Sequence, residues 1–139
     1  MSLTALSALD ISRTGLQVQR VRMDVIANNI ANATTTRTPE GGPFRRQLAI
    51  SRGHKYTGRI GEPLGSEVTA IVNDPSPFRT VYDPWHPDAN AQGYVQYPNV
   101  DIPVEMVNLM LASRAYEANV SVIQSTKQIV RTALDLLRD

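Results

Sequence analysis

A chain of 139 residues, with 14 basic side chains against 13 acidic ones and 42% apolar residues, fits one domain or one subunit of an assembly. Having no cysteine, it can form no disulfide, thiolate metal site or thiol nucleophile. No run approaches the roughly 18 apolar residues of a membrane-spanning helix, and the opening MSLTALSALD lacks the basic flank and unbroken apolar core of a cleavable signal peptide.

The helix breakers are confined to the middle of the chain. All nine prolines fall between Pro39 and Pro103, and every glycine except Gly15 falls between Gly41 and Gly93. Proline inside a helix costs about 3 kcal/mol, so the proline-poor ends read as helices. Residues 1–36 are an N-terminal helical arm, 37–102 an irregular β-rich middle, and 103–139 a C-terminal helical arm, the two arms forming one helical domain. At about 1.5 Å per residue the arms are rods on the order of 45–50 Å long, too long for a compact fold of this size.

In the first arm Leu9, Leu16, Met23 and Ile30 recur every seven residues, the mark of a packing seam. A second series, Ile11, Val18 and Val25, lies roughly 200° around the same helix. A hairpin partner covers only one side, so this second stripe points to neighbours from other subunits; the plainer reading is a lone hairpin with exposed valines. The arm closes on IANNIANATTT, where Asn28 and Asn32 stand four apart with Asn29 beside them. Asparagine is a mediocre helix former. These amides either fix the register of a helix contact or, at Asn32 and the threonines, simply end the helix.

The middle alternates turn signals such as PEGGP, NDPSP and YDPWHPD with short runs rich in β-branched residues. Candidate strands are 46–51, 67–73, 78–82 and 93–97, with an unstructured linker as the alternative. Its first half is basic (Arg37, Arg45, Arg46, Arg52, Lys55, Arg59) and its second half acidic (Glu62, Glu67, Asp74, Asp83, Asp88, Asp101, Glu105), which suits complementary contact within or between subunits. In the second arm Leu109, Tyr116, Ile123, Val130 and Leu137 repeat every seven residues, while Asn119 and Thr126 interrupt the neighbouring series between Ala112 and Ala133.

Two stretches carry a family resemblance. MDVIANNIANATT, residues 23–35, and GYVQYPNVDIPVEMVNLMLASRAYEANVSVIQSTKQIV, residues 93–130, resemble the terminal regions of the bacterial flagellar rod and hook axial proteins, and the length suits a short proximal rod member. The resemblance implies a structural subunit of the basal-body rod where it crosses the periplasm. It also implies export through the flagellar type III apparatus, and partners that are copies of itself and other flagellar rod proteins. In such subunits the terminal helices pair and pack into a tube while the middle forms a small outer part.

Asp83, His86 and Asp88 could be drawn as a metal cluster, but ligands spaced by prolines in a turn are more often loop structure. Trp85 reads as an anchor of that loop against a helix. No nucleophile motif, phosphate loop or dinucleotide fingerprint is present. Nor is there a recognition helix for nucleic acid. The expectation is therefore a non-enzymatic, mainly α protein with a small β-rich middle, without cofactor or metal. Its long N- and C-terminal helices pair as a coiled-coil-like hairpin through Leu9, Leu16, Met23 and Ile30 with Leu109, Tyr116, Ile123 and Val130. Ile11, Val18, Val25, Asn28, Asn29 and Asn32 face neighbouring subunits. The alternative is a non-flagellar coiled-coil adaptor.

Overall fold

In the computed structural model the backbone is described for residues 2–55 and 64–137, and side chains for 8–53 and 65–137; Lys55, Arg59 and Glu62 of the charge pattern lie outside the described side chains. The two ends are single helices, α1 (Ser2–Ala31) and α2 (Ile102–Leu136). The Asp101 carboxylate caps α2 by accepting from the Val104 N–H at 3.3 Å, and proline stands at its first turn, where a missing N–H costs nothing. At the end of α1, Asn32 folds back so that its Nδ2 donates to Asn28 O (2.9 Å) and Asn28 Oδ1 (3.0 Å). The helix then dissolves into a turn closed by the Thr35 N–H on Asn32 O. Asn32 thus ends the helix.

Between them lie two separate antiparallel ribbons: β1 (Gln47–Lys55) with β2 (Leu64–Asn73), and β3 (Arg79–Tyr82) with β4 (Tyr94–Tyr97). A bulge between Ile50 and Ser51 shifts the β1–β2 register. No strand of one ribbon pairs with the other, so neither has a sheet to lean on, and a two-stranded ribbon alone is marginal in water. Each must rest on something else.

The helices pack antiparallel. Gly15 faces Asn119 so closely that a Cβ there would stand 2.9 Å from its amide nitrogen, and Asn29 bonds Glu105 at 3.1 Å. The steps from Gly15 to Asn29 and from Asn119 back to Glu105 are both fourteen residues, so one register holds across both contacts. The innermost positions follow sevenfold series, but not the leucine series. They include Ser12, Ile26 and, just past the helix, Ala33 on the first arm, and Glu105, Ala112 and Thr126 on α2. Gln19, between Ser12 and Ile26, has its Oε1 buried without a hydrogen-bond partner. Leu9, Leu16, Met23, Ile30, Leu109, Tyr116 and Ile123 are half-buried along the flanks, and Val130 is exposed at 37%. Apart from Ile26, the seam side chains are small or polar, and the small ones let the two backbones approach while the larger apolar ones splay to either side.

The β1–β2 ribbon lies along α1. At its far end the Ser66 N–H donates to Thr14 Oγ1 at 3.1 Å, and at its root Asn29 clasps Gln47. Thr14 to Asn29 spans about 22 Å of helix, and Gln47 to Gly53, the register partner of Ser66, about 20 Å of strand. Val18 and Val25 share the Thr14–Asn29 face and are only 5% and 7% exposed. Expected on an outward face, they lie inside the chain, because the chain's own ribbon and α2 close over them. Ile11 stays exposed at 41%.

Candidate functional site

One buried carboxylate ties the elements together. Glu105, in the first turn of α2, is 1% exposed. Its Oε1 accepts from Arg46 Nε at 2.8 Å and Nη2 at 2.6 Å, and its Oε2 from Asn29 Nδ2 at 3.1 Å. The same guanidinium reaches Asp74 Oδ2 at 3.0 Å, just past β2. Partial burial works against the arginine's charge, but the bonds to Glu105 and Asp74 outweigh it and raise its pKa. The Asp74 carboxyl is pulled down to about 2, first by the Ser76 hydroxyl, then by the Ser76 N–H, then by Arg46.

Asn29 is 1% exposed and behaves like a neighbouring strand. Its Oδ1 accepts from the Gln47 N–H (2.8 Å) while its Nδ2 donates to Gln47 O (2.9 Å). Expected to face another subunit, it instead pins α1 to β1 within the chain. Exposed Asn28 donates to Gln47 Oε1 at 3.1 Å, and Asn32 is half-buried at its turn. Asn99, just before α2, accepts from the Arg46 N–H at 2.8 Å and donates to Asp74 O and Ser76 O. In the sequence Arg46, Asp74 and Glu105 stand only as members of the charge pattern, and Asn99 carries no mark of its role. The available signal was Glu105 standing seven residues before Ala112, a carboxylate in a seam series.

The basic and acidic halves of the middle meet in ion pairs of Arg46 with Asp74 and of Arg37 with Asp88. The Asp88 carboxyl is held below its ordinary pKa, chiefly by the Thr36 hydroxyl and secondarily by Arg37. His86 Nδ1 accepts from the Asp88 N–H, and Asp83 Oδ1 from the Trp85 N–H, so these three side chains shape the loop. Trp85 does not anchor it against a helix: the ring is 94% exposed, held out between Pro84 and a proline two residues on.

Among the described residues, most of the exposed large apolar side chains belong to α2. Val104 (50%), Val107 (54%), Leu111 (62%), Val122 (45%), Ile129 (67%) and Leu136 (75%) recur at helical spacing within one stripe, roughly a quarter to a third of a turn from the seam. It runs the length of the helix. Among the described residues, α1 packs against α2, β1 and β2, whereas α2 packs on α1 alone among the helices and strands.

The terminal arms also match known proteins. The flagella basal body rod protein family model matches residues 3–37 and the flagellar basal body rod FlgEFG protein C-terminal model residues 91–136. The flagellar basal-body rod protein FlgC of Borreliella burgdorferi is 43% identical, across 95% of this chain and 97% of its own length. FlgC of Bacillus subtilis is 41% identical (96% and 99%) and that of Salmonella typhimurium 37% (94% and 96%). The FlgC matches take in the ribbons and loops of the middle together with both arms, and the chain belongs to the FlgC family of flagellar basal-body rod proteins.

Proposed function

We infer that this chain is a structural subunit of the bacterial flagellar basal-body rod, carrying mechanical load through helix packing rather than chemistry. The observation that carries the reading is the apolar stripe of α2, from Val104 through Leu111 and Ile129 to Leu136, which stands exposed among the described residues. Surface of that length and character is what an interface core requires.

In finer detail, the subunit belongs to the proximal part of the rod, with copies of itself and other rod proteins as neighbours. The α1–α2 pair behaves as a coiled-coil-like hairpin completed by those neighbours. Leu9, Leu16, Met23, Ile30, Leu109, Tyr116, Ile123 and Val130 flank the intrachain seam, while Ile11, Asn28 and the α2 stripe meet other subunits. The helical arms act as one domain and the middle as an outer part. The chain arrives unfolded through the flagellar type III export apparatus and works where the rod crosses the periplasm. A small, polar seam with the Gln19 Oε1 unpaired supports this, since a pair held so lightly is readily unthreaded.

The test is complementation of a motile strain lacking its own copy. L111D together with I129D places two charges on solvent-exposed positions, so the purified chain keeps its helix content while the strain fails to swim. Swimming at the wild-type rate would sink the assignment of the α2 stripe to assembly. Val18 is unsuitable for this test, because a buried aspartate there would unfold the chain itself.

A further inference from the structure

We propose that the middle of the chain sets the register of the helix pair: through Arg46 and Gln47 it selects between two fits of α1 on α2 that lie seven residues apart. This goes beyond the rod reading and does not depend on it.

The observed register puts Gly15 against Asn119 and Asn29 against Glu105. Counting along both helices then sets Gln19 opposite Ala115 and Arg22 opposite Ala112. Neither polar side chain is met there. Gln19 Oε1 is buried without a hydrogen-bond partner, and exposed Arg22 makes no ion pair among the described residues. Because the seam repeats every seven residues, a second fit exists with α2 one repeat, about 10 Å, nearer the start of α1. In that fit Gly15 faces Ala112, so the backbones still approach. Gln19 faces Asn108, amide to amide, and Arg22 faces Glu105, cation to carboxylate. These side chains are already close: Arg22, Glu105 and Asn108 line one groove of about 230 Å³. Sliding the other way carries Glu105 past Ala31, the last residue of α1, so one alternative competes.

Between the two helices alone, the second fit satisfies a pair of groups that the observed one leaves unmet. What favours the observed fit comes from outside them. Arg46 Nε and Nη2 hold Glu105 Oε1 at 2.8 and 2.6 Å. The Gln47 backbone N–H and C=O hold the Asn29 amide at 2.8 and 2.9 Å, which leaves Asn29 Nδ2 aimed at Glu105 Oε2 as well. Arg46 is fixed in turn by Asp74 on its guanidinium and by Asn99 on its backbone N–H. Glu105 therefore has its donors only where Asn29 and the start of β1 stand beside it. Burying such a cluster costs desolvation, and choosing a register is the best attested return on that cost.

The chain has no cysteine, so introduced pairs report the register directly in the full-length protein. A8C with T126C stands opposite in the observed fit, and A8C with N119C in the second. In either fit the unmatched pair is offset by about 10 Å, too far to bridge. With Arg46 and Asn29 intact, the first pair should oxidise within the dilute monomer and the second should not. In an N29A R46M background Glu105 loses its donors in the observed fit. Bridging of A8C with N119C should then rise by about tenfold or more, the worth of one hydrogen bond to a charged group. Adding R22A to that background should bring it back down, whereas R22A alone should leave the bridge of A8C with T126C unchanged. Circular dichroism accompanies every variant. A released chain that keeps its helix signal and still bridges only positions 8 and 126 overturns the proposal. So does bridging of 8 with 119 that is indifferent to Arg22, or that occurs equally with Arg46 and Asn29 intact. Loss of the helix signal on release also overturns it, since the cluster would then support the fold rather than choose between registers. None of these outcomes touches the α2 stripe, whose test is swimming.

Discussion

Glu105 shows what one residue can do where three segments converge. It is 1% exposed, and its two oxygens are shared between Arg46 and Asn29, so its ionised form is fully met by donors although water is excluded. In E105A the half-buried Arg46 would keep Asp74, but Asn29 Nδ2 would lose one of its two acceptors. The expected loss is about 3 kcal/mol in urea unfolding; a loss below about 0.5 kcal/mol, typical of a surface change, would mean the node is not structural. Asp74 supplies a pH dependence. Its folded pKa of about 2 lies below the ordinary 3.8, so its contribution is complete above the ordinary value and fades as the pH falls through about 2. Urea midpoints measured between pH 4 and pH 2 should drop for the native chain and show a shallower slope in D74N, which has no proton to take up at this position.

At the scale of the element, the helix pair is governed by two contacts in one register. A glycine inside a helix costs about 1 kcal/mol relative to alanine, and Gly15 is tolerated because Asn119 occupies the space a Cβ would take. Asn119 is itself held by its Nδ2 on Ala115 O at 2.9 Å. G15A should therefore lower the melting temperature in the native background, and in an N119A background it should stabilise by about 1 kcal/mol. A double-mutant cycle with no coupling would remove this pair as a determinant of register. The β1–β2 ribbon shows the same dependence on its surroundings: two strands stay in place because α1 receives them from Thr14 to Asn29. In closing over Val18 and Val25 the ribbon supplies part of the cover that the sevenfold series had assigned to other subunits.

The whole molecule is a slender helix pair with ribbons along one side and the other flank of α2 left bare. Its seam is small and polar, so little apolar area is removed from water between the helices, and at roughly 25 cal/mol per Å² the association of subunits has more to gain from the α2 stripe. The helix signal and melting temperature of the purified chain should accordingly rise with concentration. Values independent of concentration across the range where the chain self-associates would show that the helices need no partner. The same geometry explains why L111D with I129D should spare the fold and stop assembly.

From residue order alone, two long helices and a broken β middle followed directly, because proline and glycine act on the backbone of the residues where they stand. Strands at Gln47, Leu64, Arg79 and Tyr94 began within a few residues of the β-branched runs for the same local reason. The terminal signatures, IANNIAN and PNVD, were enough to suggest the rod family. Which heptad series became the seam, which valines were covered and what Asn29 bonded were decided only in three dimensions. Sevenfold spacing names the members of each stripe but not the stripe that faces the partner. That choice depended on how closely two backbones could approach at Gly15 and Ala112, and on a ribbon folding back from far along the chain. Trp85 belongs with these: its exposure depends on a loop geometry that no periodicity encodes.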